Sequence, residues 1–300
     1  MKTMTLKQRN RSRVMWAVLF IAPTLLLVLL LNIWPIIQTI YLSFNRAHGL
    51  RGATWIGLEN YREAFTDPRI LRSFINTASY AVVTVPVGIF LSLITAVLLN
   101  SEIKGKSFFR VIYFIPVISA PTAVALVWRW MFHSEFGIIN YVLSLFNIAS
   151  INWLGNPNTA LSAIMVVGIW GGVGYNMVIL LGGLQGISKS YYEAAKIDGA
   201  NGIQQFFKII LPLISPTLFF VLTTSLIGSF QVFDLIFMMI DSGGPSITAT
   251  QSIVGLFYGV TFVNNNRGYG STIAVLILAV ILAITVVQMK LQKKWVHYDQ

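Results

Sequence analysis

Six stretches of this chain are long and apolar enough to cross a lipid bilayer, and five of the six contain no charged side chain. Crossing a hydrocarbon core about 30 Å thick takes about 20 mostly apolar helical residues. The spans fall at about 14–43, 74–99, 108–132, 159–184, 211–233 and 271–289, which predicts an all-α, polytopic membrane protein. Pro23 and Pro35 are expected to break the first span, because proline has no N–H for the helix ladder. The third carries Arg110 and Arg129 near its two ends, where a guanidinium can reach the interface. Arg129 needs water or a partner. Asp234, at the end of the fifth span, could pair with it, cap a helix or face a ligand. Asn147–Asn158 is polar and turn-rich and reads as a loop.

Composition leads to the same class. Of 300 residues 56% are apolar and 10% charged, with mean hydropathy +0.73, so a water-soluble surface could not be covered. Such a chain is not disordered. Having no cysteine, it carries no disulfide scaffold, thiolate metal site or cysteine nucleophile. His48, His133 and His297 lie far apart, so neither a metal site nor a catalytic residue is assigned. The net charge of +11 is spread too thinly for a nucleic-acid groove; it bears on orientation, since Lys and Arg collect on the cytoplasmic side. Placing both termini inside puts fourteen basic residues there: Lys2, Lys7, Arg9, Arg11 and Arg13, Lys104, Lys106 and Arg110, Lys189, Lys196 and Lys208, and Lys290, Lys293 and Lys294. Seven remain outside, five of them in a first outer loop, 45–73, where Glu59, Glu63 and Asp67 are interleaved. Trp55 and Tyr61 are candidate anchors there for an external partner. The organisation expected is a cytoplasmic N-terminus (1–13) read as preceding an uncleaved anchor, a membrane domain (14–293) with a cytoplasmic loop at 186–210, and a cytoplasmic tail (294–300).

That loop has its own punctuation. Ser190 and Glu193 are spaced as a capping box for a helix beginning at Tyr191, and Asp198-Gly199 supplies a stop. Ile203, Phe206, Phe207 and Ile210 recur at helical spacing, and Pro212 stands where a new membrane helix would begin. By itself this pattern describes a short helical hairpin, which could simply pack under its own bundle.

Glu193-Ala194-Ala195, Gly199, Ile209, Leu211 and Pro212 also resemble the cytoplasmic signature of permease subunits of binding-protein-dependent ABC importers. Gly57-Leu58-Glu59-Asn60-Tyr61, Asp67-Pro68, Asn76-Thr77, Phe230 to Asp234 and Gly243-Gly244-Pro245 are similar to the carbohydrate-uptake group, the maltose and glycerol-phosphate permeases. The resemblance implies the six-helix type I ABC permease fold in the cytoplasmic membrane. It also implies a second related permease subunit, two cytoplasmic ATPase subunits that bind ATP and Mg, and an extracytoplasmic sugar-binding protein. Glu193, Ala194, Ala195, Asp198, Gly199, Leu211 and Pro212 would couple to the ATPase. The chain contains no Gly-rich phosphate loop, so no cofactor of its own is expected.

A sugar crossing the membrane needs hydroxyl partners and flat apolar faces. Trp170, Gly172, Tyr175 and Asn176 in the fourth span and Ser229, Gln231 and Phe233 in the fifth offer them, although small residues in membrane helices also mark helix packing. In the maltose-type pattern Gly172, Tyr175 and the Ser229–Gln231 region fall where sugar-lining residues occur. Where that pattern has asparagines in its fifth span, this chain has Ser229, Val232 and a single amide, Gln231. The function expected is import of a sugar, an oligosaccharide, by alternating access. The alternatives are a sugar phosphate such as glycerol 3-phosphate as cargo, then a secondary transporter, which would need internal repeats and a mid-span charge, or a channel.

Overall fold

The computed structural model describes residues 6–47, 52–101 and 104–297. Lys2, His48, Arg51 and the last three residues of the tail lie outside the described residues. The chain divides into two units, 1–64 with 260–275 and 65–259 with 276–300.

In the first unit, α1 (Leu6–Val28), a π-helical turn (Leu29–Ile33) and α2 (Trp34–Ser43) form one apolar helix of 31 residues from Arg13 to Ser43. The break expected at Pro23 and Pro35 does not occur. Trp34 N–H reaches back five residues to Leu29 O, so the ladder is re-spaced just ahead of Pro35, which has no N–H to give. From Arg13 to Leu42 no residue is buried.

The described part of the loop expected outside, 45–73, carries its own structure. β1 (Asn45–Arg46) pairs antiparallel with β2 (Thr54–Trp55), and α3 (Glu59–Thr66) follows. Asn60 Nδ2 donates to Ser43 O and Asn45 O at 2.9 and 3.0 Å, and Arg46 pairs with Glu59 at 2.9 Å. Phe44 stacks on Trp55 and tilts against Tyr61. Tyr61 meets Ser43 Oγ at 2.7 Å, so of the two expected anchors only Trp55, 65% exposed, is free for a partner. Gly268 backs against this hairpin, and a Cβ there would stand 2.1 Å from Asn45 O.

The second unit is organised on α4 (Pro68–Asn100) and α8 (Ala160–Gln185). Asp67 caps α4 by accepting from Arg69 N at 2.9 Å, with Pro68 at the first helical position. Further along, Asn76 Nδ2 donates to Thr248 O and Gln251 O, and Ile253 N–H donates to Thr77 Oγ1. Asn76-Thr77 therefore holds down the segment of α14 (Ile247–Thr250) and α15 (Ile253–Tyr258). Leu93, Ala96 and Leu99 of α4 pack with Met177, Leu180, Leu181 and Leu184 of α8 and with Ile214 and Val221.

Two expected spans are bent. The third is α5 (Lys106–Ile118) and α6 (Pro121–Met131) at 100°, because Ala120, preceding a proline, is held extended. The fifth is α10 (Gly202–Gln205), a π-turn (Phe206–Ile210) and α11 (Leu211–Leu213), turning 68° into α12 (Ser215–Phe230). Its membrane helix begins at Ser215 rather than at Leu211-Pro212. Here too a wide turn, with Leu211 N–H bonding Phe206 O, precedes the proline. Among the described residues four helices are long and apolar enough to cross a membrane, and each bent pair counted as one span brings the total to six.

Between the spans lie α7 (Ile138–Leu145), α9 (Lys189–Ile197), α13 (Asp234–Met239) and, after α15, a π-helical turn (Gly259–Val263). The last long helix is α16 (Arg267–Trp295). Asn140 on α7 organises the loop before α8: its amide donates to Ser134 O and Ile151 O and accepts from Ile151 N–H and Trp153 Nε1–H.

Candidate functional site

The 3.6-residue period of the helix brings three stripes of small and polar residues together in the second unit. Tyr80, Thr84 and Gly88 on α4, Gly168, Gly172, Tyr175 and Asn176 on α8, and Thr224, Ser225, Gly228, Ser229 and Val232 at α12 line a cavity of about 280 Å³. Positions four and eight apart share a helix face, and these three sets follow that spacing. Among the described residues no charged side chain lines the cavity. Gly172 and Gly228 have nothing within 4 Å of where a Cβ would be, so both leave open volume.

Most of the hydroxyls have already used their protons. Thr84 donates to Tyr80 O at 2.7 Å, Thr224 to Phe220 O at 3.0 Å and Ser229 to Leu226 O at 2.8 Å. Asn176 Nδ2 donates to Ser225 Oγ at 3.2 Å across α8 and α12. These oxygens keep lone pairs, so the wall offers acceptors to a ligand's hydroxyl protons.

Of the expected path residues, Gly172, Tyr175, Asn176 and Ser229 meet here. Trp170 does not. Two residues before Gly172 on a helix is nearly the opposite side, and Trp170 lines a different, apolar cavity of about 500 Å³ with Leu91 and Tyr113, its ring edge-on to Trp128. Gln231 is the exposed C-cap of α12, and Phe233 packs with Phe237 and Tyr258. Tyr80, Thr84, Thr224 and Ser225 escaped the sequence reading, which took contiguous stretches instead of helical stripes; that spacing was the signal available.

Arg129 pairs with Asp241, not with Asp234, at 2.5 Å, and its guanidinium also reaches Met238 O at 3.4 Å. Asp234 is exposed in the first turn of α13, suited by its negative charge to a helix N-terminus. The Arg129–Asp241 pair, His133, Asn152 and the Gly244-Pro245 turn line a polar hollow of about 260 Å³ at the end of α6.

The helix that carries Glu193 is capped at both ends. Its cap is Ser188, whose side chain accepts from Ser190 N–H; the expected Ser190–Glu193 box does not form, because the helix starts two residues earlier. A true capping box lies at Asn201 and Gln204, bonded both ways at 2.9 Å. Gly199, with φ +75°, closes α9 through Gly199 N–H to Lys196 O and Ala200 N–H to Ala195 O, the Schellman pattern. Glu193, Ala194 and Asp198 are exposed, whereas Ala195 is buried within this chain. Leu211 is half-buried against the core of α4 and α8, and Pro212 beside it is also half-buried, so both belong to the joint. Tyr191, Ile197, Ile203 and Phe207 present exposed apolar side chains. Burial pushes the phenol of neighbouring Tyr192 above its ordinary range.

Among known proteins, residues 64–298 match the family described as binding-protein-dependent transport system inner membrane component. The chain is 34% identical over 283 residues to the sn-glycerol-3-phosphate transport system permease protein UgpA of Brucella suis, covering 93% of this chain and 95% of that one. It is 32% identical over 282 residues to the arabinooligosaccharides transport system permease protein AraP of Halalkalibacterium halodurans, covering 93% and 88%. In fold it is similar to a chain of a bacterial ABC transporter that imports the acidic polysaccharide alginate, with TM-score 0.84, 20% identity and 96% and 98% coverage. The chain belongs to the family of inner-membrane components of binding-protein-dependent transport systems, and it is a multi-pass permease of an ABC importer.

Proposed function

We propose that a neutral oligosaccharide crosses the membrane through the cavity between α4, α8 and α12, next to a second, related permease. The observation that carries the reading is the lining: acceptor hydroxyls, an amide, open glycines and an aromatic face, with no charge. Saccharide hydroxyls donate to such oxygens, and Tyr175 offers a face for a sugar ring. A phosphate calls for charge-assisted donors, which this lining lacks, so glycerol 3-phosphate, named for a relative, fits less well.

The coupling elements agree with this reading. A capped helix displaying Glu193 and Ala194 beside exposed Ile197, Ile203 and Phe207 suits docking into a cleft of a cytoplasmic ATPase subunit, where ATP and Mg would be held. Two such subunits and an extracytoplasmic binding protein complete the machine. The unburied helix from Arg13 to Leu42 supports a companion permease in the membrane. The excess of basic residues supports cytoplasmic termini.

The test is purification with native partner subunits, reconstitution into ATP-loaded proteoliposomes, and uptake of labelled arabinotriose against labelled glycerol 3-phosphate. Saccharide uptake that Glu193→Lys abolishes, with membrane insertion intact, is expected. Uptake of glycerol 3-phosphate alone would reject the reading.

A further inference from the structure

We infer that the hydroxyl of Tyr80 donates a hydrogen bond to the transported saccharide and helps select it; the inference rests on the cavity being the transport path. Tyr80 is 6% exposed, its ring packed with Ala160, Ile164, Val232 and Ile236. Its hydroxyl lies directly against Gly168, where a Cβ would stand 2.0 Å from Oη, and both residues line the cavity. That oxygen has no hydrogen-bond partner among the described residues, and it is not among the fully enclosed polar atoms. It therefore opens on the cavity. A buried tyrosine hydroxyl ordinarily finds a partner, and with none among the described residues the cavity it lines is where one can reach it.

The neighbours sharpen the chemistry. Thr84, Thr224 and Ser229 spend their protons on backbone carbonyls, and Asn176 and Ser225 bond each other, so these groups mainly accept. Tyr80 and Tyr175 hold O–H groups with no acceptor among the described residues. Tyr175 is 49% exposed, whereas Tyr80, 6% exposed, meets little besides what enters the cavity it lines. The complement is a ligand rich in hydroxyl protons with an oxygen lone pair at Tyr80, as a saccharide has.

Tyr80→Phe removes the proton and keeps the ring in its packing. In the reconstituted complex, KM for arabinotriose should rise roughly 2- to 13-fold, the worth of one neutral hydrogen bond, with a smaller change in maximal rate. Monodeoxy arabinotrioses then locate the bond. One analogue should compete poorly in wild type and as well as the parent in Tyr80→Phe; a role confined to packing would weaken all analogues alike. Gly172→Leu and Gly228→Leu, each filling open space, test the path itself. If both fillers fold and transport normally, the cavity is not the path and the proposed function falls with this inference. If they block uptake while Tyr80→Phe keeps the wild-type KM and analogue profile, only the inference about Tyr80 is overturned. Failure of wild type to import arabinotriose overturns both.

Discussion

Gly174→Ala should force α5 away from α8. A methyl at this position would stand 1.8 Å from the carbonyl oxygen of Tyr113 and 2.8 Å from its carbon. Carbon–oxygen contacts settle at about 3.3–3.6 Å, so the two helices must separate by about 1.5 Å. The obstacle is backbone, which cannot swing aside as a flexible side chain would. Overpacking of this kind costs about 1–3 kcal/mol, against a gain of about 1 kcal/mol for alanine over glycine inside a helix. Gly172→Ala is the internal control: it lies on the same helix, receives the same gain, and has nothing within 4 Å of its Cβ. The two variants should therefore differ by the overpacking term alone, about 1–3 kcal/mol. Thermal unfolding of the purified chain in detergent, followed by tryptophan fluorescence, reads the difference. A Gly174→Ala protein that melts at or above Gly172→Ala would refute the close approach of α5 to α8.

Gly199→Val places a branched side chain at φ +75°, costing about 1–2 kcal/mol. Its Cβ meets nothing, so the strain is purely conformational: substrate-stimulated ATP hydrolysis by the complex should be lost in Gly199→Val and largely kept in Gly199→Asn, and equal loss in both would count against the turn's role. Asn140→Ala strips the partners from the part-buried groups that anchor α7 to the following loop, each hydrogen bond worth about 0.5–1.5 kcal/mol; faster proteolysis between 133 and 158 is expected, and an unchanged cleavage pattern would contradict it. Thr54 is exposed on β2, and because the chain has no cysteine, Thr54→Cys should react with an impermeant thiol reagent in cells stripped of any outer barrier. Labelling only after inner-membrane permeabilisation would invert the proposed orientation.

Much of this protein was legible in one dimension because hydrocarbon imposes a one-dimensional rule: a run of apolar residues about 20 long must be a helix. The runs at 74–99 and 271–289 sit inside α4 and α16, and the run at 159–184 matches α8 to within one residue; the glycine that ends α9 was readable because left-handed backbone favours it. The end effects of proline were not readable. Whether Pro35 and Pro212 break a helix or are absorbed by a π-turn depends on the ladder several residues upstream, and the bend at Ala120 on how two short helices pack.

The chemistry shows the same division. Gly172, Tyr175 and Asn176 could be singled out from residue type. Their joining with Tyr80 and Thr84, nearly a hundred positions earlier, and the diversion of Trp170 to another cavity follow from helix rotation. Arg129 needed a partner on solvation grounds alone, and the sequence offered Asp234; packing of α13 against α6 brought Asp241 instead. Hydropathy and backbone covalent chemistry act locally and are written in the order of residues, whereas a cavity is made by faces of helices distant in the chain, whose rotation is decided only when close-packed side chains and approaching backbones choose it.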